Sequence, residues 1–184
     1  MRKVDRNEIL DYQTYEETRE EFRRHVLVEK ARRRVHVGDP FTFLFENALT
    51  MRYQVQEMMR AERIVKERDI LHELETYNAV LGGAGELGCT LLIEIDDPQL
   101  RDVKLREWRR LPEHLFVRAE DGTMVRAIFD EAQRDAERIS SVQYLKFPVN
   151  GQVPVSVGID HPGLEAEAAF TPEQRAALAE DLRS

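Results

Sequence analysis

Residues 50–67 hold the densest set of side chains that could do chemistry. Read as a helix, at about 100° per residue, they place Met51, Val55, Met58, Met59 and Val65 on one face. That stripe reads first as core. Glu62 projects from the middle of it. A carboxylate in an apolar setting must find a cation, a set of hydrogen bonds or a metal, or else take up a proton. The expectation is that Glu62 is buried and paired with a cation, most simply an Arg from another element or another copy of the chain. Thr50, Tyr53, Glu57 and Arg60 lie on a second flank. Glu57 and Arg60 are three apart and can pair; Tyr53 and Glu57 are four apart and can meet. Together with Glu73 and Tyr77 on the next helix, Tyr53, Glu57, Arg60 and Glu62 form a candidate ligand-binding set. The same residues serve equally well as a polar network that fastens two helices.

Metal chemistry has weaker support. His72 and Glu73 are ligand types, but the order is reversed from the Glu-x-x-His of di-iron bundles and is not repeated. A single metal held by Glu57, Glu62 and Glu73 or His72 is the one arrangement the residues leave open. The five histidines, His25, His36, His72, His114 and His161, include no pair four apart, which excludes a zincin-type helix. One cysteine, Cys89, excludes internal disulfides and any cysteine-rich zinc, iron–sulfur or haem-attachment motif. No cofactor is expected. Cys89 falls on the apolar side of a strand pattern and reads as inert packing. Gly82-Gly83-Ala84-Gly85 lacks the Lys and the following helix of a phosphate loop. No Gly-x-Ser-x-Gly nucleophile elbow occurs, and Ser140-Ser141 meets a strand without such a turn.

The elements that must position these residues follow from pattern. A capping box at Thr14–Glu17 opens a helix over about 14–34. It ends in Lys30-Ala31-Arg32-Arg33-Arg34, either an anion patch or, more simply, a solvated helix end that suits the helix dipole. Residues 41–47 fit helix or strand. Helices follow over 50–67 and 69–80, the second with a buried stripe of Ile70, Leu74, Tyr77 and Leu81. Beyond residue 82 the chain is strand-rich. Residues 89–95, 114–119, 124–129, 142–147 and 153–159 read as strands, with Asp121-Gly122 as a hairpin turn. Short helices are expected near Leu100 and over 130–138. Thr171-Pro172 opens a last helix over 172–183. Helices first and a mostly antiparallel sheet of about five strands second make an α+β fold. At 184 residues it reads as a single domain.

Charge narrows the partners. The net charge is −8. Residues 1–68 carry 15 basic and 13 acidic side chains, the remainder 12 and 22, so the acidity lies in the second part. That balance argues against nucleic-acid binding, where affinity comes from neutralising phosphates. No window approaches the ~20 apolar residues of a membrane span, and the first residues lead into no apolar signal stretch. A cytoplasmic location is expected.

One family resemblance emerges. Phe45-Glu46-Asn47, Thr50, Tyr53-Gln54-Val55-Gln56-Glu57-Met58 and Arg60-Ala61-Glu62-Arg63-Ile64 resemble the signature of the bacterial domain-of-unknown-function family numbered thirty-five hundred and one. Glu73 with Tyr77-Asn78, Thr90-Leu91-Leu92-Ile93-Glu94-Ile95, Ser141-Val142-Gln143-Tyr144-Leu145-Lys146-Phe147 and Asp160-His161-Pro162 continue the match in order. The glycine-rich loop at 82–85 and Cys89 depart from it, away from the polar signature. The resemblance implies no activity. It implies company, since such proteins tend to be encoded beside rubrerythrin-like proteins and iron–sulfur oxidoreductase subunits. Two classes of function follow. One is an accessory partner of a cytosolic redox or peroxide-handling system, with self-association of the chain compatible with it. The other is an enzyme or small-ligand or metal-binding protein with a polar pocket around Glu57, Arg60, Glu62 and Glu73. Convergence of those side chains on a concavity favours the second; their burial in a paired network favours the first.

Overall fold

A computed structural model describes residues 1–131 and 137–184. The fold is α+β, with five α-helices and nine strands among the described residues. Helix α1 (Tyr12–Ala31) begins three residues earlier than a helix capped by Thr14 would. Asp11 is the cap, accepting from the amides of Gln13 and Thr14. The Thr14 hydroxyl itself donates to Asp11 at 2.7 Å, so it has no part in capping. A carboxylate that reaches two free amides at a helix start outcompetes one hydroxyl.

The chain then enters β1 (Arg34–His36) and β2 (Phe41–Glu46). Residues 41–46 are strand, which settles the ambiguous segment. Every residue of β2 is buried because it lies between two antiparallel neighbours with cover on both faces. Helix α2 (Ala48–Glu62) is capped by Asn47, whose side chain accepts from the Thr50 amide. It stops five residues short of the sequence expectation. Arg63 turns left-handed at φ 54°, and the Ile64 amide bonds back to Met59. Helix α3 (Glu67–Asn78) buries Ile70, Leu74 and Tyr77.

Strand β3 (Leu87–Ile93), helix α4 (Pro98–Glu107) and strands β4 (Leu115–Arg118), β5 (Met124–Arg126), β6 (Ile128–Phe129), β7 (Val142–Phe147), β8 (Ser156–His161) and β9 (Leu164–Ala169) follow, then α5 (Pro172–Arg183) with Thr171 as cap. The short helix expected over 130–138 falls largely on residues 132–136, outside the described residues. All strand pairs are antiparallel, but they form two sheets rather than one. The first has the order β1-β2-β3-β7-β6 and the second β5-β4-β8-β9.

One core is shared by the two sheets: Phe41, Phe43, Phe45, Cys89 and Leu91 from the first meet Leu115, Val117, Val157 and Ile159 from the second. A second core joins α2 and α3 to the N-terminal segment through Val4, Met51, Val55, Met59 and Leu74. Because side chains alternate along a strand, residues 42, 44 and 46 of β2 and 88, 90 and 92 of β3 point away from the first core. Gly88, opposite Glu46, has no room for a side chain. A Cβ there would lie 2.3 Å from the Val80 carbonyl oxygen and 3.0 Å from the Gly82 amide. The chain leaving α3 therefore passes directly over β3.

Within the basic run at the end of α1, Arg32 and Arg33 are neither a free anion patch nor solvated, whereas Arg34 is exposed. Arg33 is buried, and its guanidinium donates to both oxygens of Asp181 on α5 at 2.8 and 2.9 Å. It also donates to Glu29. Arg32 pairs with Glu29 and Glu180.

Two outcomes test this architecture. Gly88→Ala must displace backbone and is expected to cost on the order of 2–3 kcal/mol in urea unfolding; an unchanged midpoint contradicts the close crossing. Arg33→Ala strands the Asp181 carboxylate and is expected to cost about 3–5 kcal/mol, against tenths for Arg109→Ala on the surface.

Candidate functional site

The six candidate residues do not converge. They divide between the two flanks of α2. Glu57 faces α1, where the Tyr15 hydroxyl donates to it at 2.6 Å and the Arg19 guanidinium donates to both its oxygens at 2.8 Å. Burial pushes the Glu57 carboxyl up, but Arg19 and the Tyr15 hydroxyl outweigh it and hold the group below the usual carboxylate range. Arg60 pairs with Glu16 at 2.6 Å, not with Glu57 as its spacing suggests. Tyr53 meets Phe22 and Lys30 of α1 and makes no bond to Glu57. A helix neighbour three or four residues away is always within range, but the facing helix offers better aligned donors.

On the opposite flank, Tyr77 is buried with its hydroxyl near Gln54, and burial pushes it up, with Glu73 and Glu62 adding to the rise. Glu73 is half-buried. Glu62 is exposed, contrary to expectation, with no ion pair among the described residues. The reason is the left-handed turn at Arg63. The helix ends at Glu62, so Val65, exposed by 69%, never extends the apolar stripe past it.

No group of three or more His, Cys, Asp or Glu side chains is placed to hold a metal among the described residues. Glu57, Glu62 and Glu73 or His72 therefore do not form the metal set left open by their types. Cys89 is buried, and burial pushes its thiol well up, as inert packing requires. Elsewhere His114 donates to Asp160 at 3.3 Å, with His161 5.1 Å away ring to ring, but Arg126 grips both Asp160 oxygens at 2.7 and 2.6 Å.

A group that residue patterns did not single out is Glu46, the last residue of β2. It is 3% exposed and points away from the shared core. The Thr90 hydroxyl donates to its Oε1 at 2.7 Å. Its Oε2 is buried with no hydrogen-bond partner among the described residues. Burial pushes the carboxyl up; the Thr50 and Thr90 hydroxyls, then Lys30 and Arg33, pull down by less. Burial therefore favours the uncharged form of this group. The available signal was a Glu closing an otherwise apolar strand, Phe41-Thr42-Phe43-Leu44-Phe45-Glu46. Farther along the same sheet a cleft of about 390 Å³ opens between α3 and β6–β7, lined by Thr76, Val80, Ile128, Tyr144 and Lys146 rather than by the six candidates.

The raised Glu46 pKa carries a sign. Between the unfolded value near 4.5 and the higher folded value, the folded chain holds a proton that the unfolded chain has released. Stability is thus full below the unfolded value and falls as pH rises through the folded one. Glu46→Gln keeps the shape and cannot ionise. Relative to it, the parent chain is expected to lose stability progressively above about pH 4.5 in urea unfolding. Parallel profiles for the two proteins would mean that Glu46 folds as a carboxylate.

With this geometry in hand, comparison with known proteins places the chain. No curated protein matches it. A crystal structure of a novel protein of unknown function from Burkholderia pseudomallei is 31% identical, with a TM-score of 0.90 over 98% of this chain and 100% of that one. The family model described as "Protein of unknown function (DUF3501)" matches residues 3–182. The chain, matched from Lys3 to Leu182, therefore belongs to the DUF3501 family.

Proposed function

We propose that this chain is an accessory protein that acts by docking to another protein in a cytosolic redox or peroxide-handling system. The observation that carries the reading is the condition of its polar candidates. A substrate clamp needs groups that converge on an unfilled concavity. Here Glu57 and Arg60 are satisfied by Arg19, Tyr15 and Glu16 of α1, while Glu62, Glu73 and Tyr77 lie on the other flank of α2. Paired side chains of this kind hold a shape; they leave no acid, base or nucleophile aimed at a vacancy. The redox setting comes from the family resemblance, which implies rubrerythrin-like and iron–sulfur proteins as company.

A second reading, a small-ligand protein, draws on the cleft beside Tyr144 and Lys146, whose volume of about 390 Å³ lies in the range of ligand sites. It shifts the ligand from α2 to the α3–β7 border.

The experiment is reconstitution. The purified chain is mixed with the rubrerythrin-like and iron–sulfur proteins of its own source organism and examined by sedimentation velocity. A stoichiometric complex with one of them at micromolar concentration is the expected result. Failure with both, together with a small molecule that raises the melting temperature of the parent chain but not of Lys146→Ala, would replace the docking reading with the second one.

A further inference from the structure

Resting on the docking reading, we infer that the α1–α2 face around Phe22 and Tyr53 binds a carboxylate-rich surface of the partner protein. The cations on and just beyond these two helices differ in their partners, with Arg24 exposed on the surface of α1. Arg19, Arg32, Arg33 and Arg60 are all in ion pairs with carboxylates of this chain. Arg23, Lys30 and Arg52 have no carboxylate within ion-pair distance among the described residues. Two of them, Arg52 and Lys30, lie over aromatic rings instead. The Arg52 guanidinium lies 4.9 Å from the Phe22 ring centre, and the Lys30 ammonium 5.2 Å from that of Tyr53. The rings meet edge to face at 6.0 Å, and Arg23 is within reach of the Tyr53 hydroxyl.

This arrangement leaves three cations without ion-pair partners around one pair of touching rings, in a chain whose net charge is −8. A ring face takes up part of each cation's field and limits its motion, yet leaves outward N–H donors available. Guanidinium groups so held suit carboxylates, which accept two parallel N–H bonds. Arg52 adds an asymmetry: its Nε is shut off from solvent and has no acceptor, so the head group is already partly desolvated before any partner arrives.

The charge pattern favours a protein over a nucleic acid. A duplex carries one negative charge per about 1.7 Å of axis and runs on past any small patch. Beyond residue 68 this chain bears 12 basic and 22 acidic side chains, which a long polyanion would meet. A carboxylate cluster on a folded partner ends where the basic face ends. Base stacking is also disfavoured, since Phe22 and Tyr53 are already covered by Arg52 and Lys30.

The test uses the full chain and a fluorescein-labelled deca-glutamate peptide, followed by anisotropy across a salt series, with deca-lysine and a ten-nucleotide RNA alongside. Binding of deca-glutamate that weakens with salt is expected, and about tenfold weaker binding in Arg23→Ser/Lys30→Ser. The double variant Lys66→Ser/Arg109→Ser removes the same charge elsewhere and is expected to bind as the parent does. Equal loss in both double variants, RNA bound as tightly as the peptide, or no peptide binding at low salt would each overturn the assignment. The same variants separate it from the docking reading. If a rubrerythrin-like or iron–sulfur partner binds and is not released by Arg23→Ser/Lys30→Ser, the partner stands and this face is not its seat. If neither partner binds while the peptide result holds, the face stands and the partner's identity is what fails.

Discussion

A guanidinium that is 2% exposed has to be answered on every side, and Arg33 is such a group. It lies two residues beyond α1, and its own carbonyl accepts from the Phe45 amide, which ties the helix end to the first sheet. Its head group bonds Asp181 of α5, 148 residues away, and Glu29 one turn back. Asn47, the cap of α2, donates to the same Asp181. Burial works against the Arg33 charge, and the Asp181 and Glu29 carboxylates overcome it, so the group is held charged. An unpaired ion in that place would cost several kcal/mol. The end of α1, the start of α2 and the last helix must therefore arrive together. A pair of this sort specifies one arrangement among the many that apolar burial alone would tolerate.

The same junction explains the state of Glu46. It is the residue before Asn47, on the strand that α2 leaves. The chain direction set by the Asn47 cap turns its neighbour's carboxyl inward, toward Thr90 and beneath the segment from Val80 to Gly82. Lys30 and Arg33 are near enough to be felt but not to pair. Burial pushes both the Glu46 and the Asp181 carboxyls up, and the two differ in their partners. Asp181 is answered by a bidentate cation. Glu46 is held by the Thr90 hydroxyl, and burial outweighs that bond and pushes its carboxyl up.

Helix α2 has three neighbours and spends its polar side chains on them. Glu57 and Arg60 bind α1, Gln56 accepts from the Leu10 amide and donates to the Leu10 carbonyl, and Met51, Val55 and Met59 pack toward α3. What is left over is the cation set on Phe22 and Tyr53, outside those contacts. This division is the physical basis for reading the helical layer as a scaffold with a docking face rather than as a pocket.

Much was legible in residue order alone. Alternation in β3, the strand run at 142–147, the Asp121-Gly122 turn, the Thr171 cap and the stripe Ile70–Leu74–Tyr77 are local patterns, and local patterns suffice for the α+β class and for a family signature, whereas the strand expected over 153–159 lies at Ser156–His161. The pairing of strands into two sheets was not local. The run Leu164-Glu165-Ala166-Glu167-Ala168-Ala169 is poor in strand formers and becomes β9 only because β8 lies beside it. Glu62 was misplaced because one left-handed residue, Arg63, ends its helix, and a non-glycine residue gives no warning of that. Glu57 could be read as polar and inward, but Tyr15 and Arg19 lie about 40 residues earlier, and no spacing rule links them. Residue types and periodicity determine which groups must find partners. Only the packed chain decides which partners they find, because burial and ion pairing are settled between elements far apart in sequence.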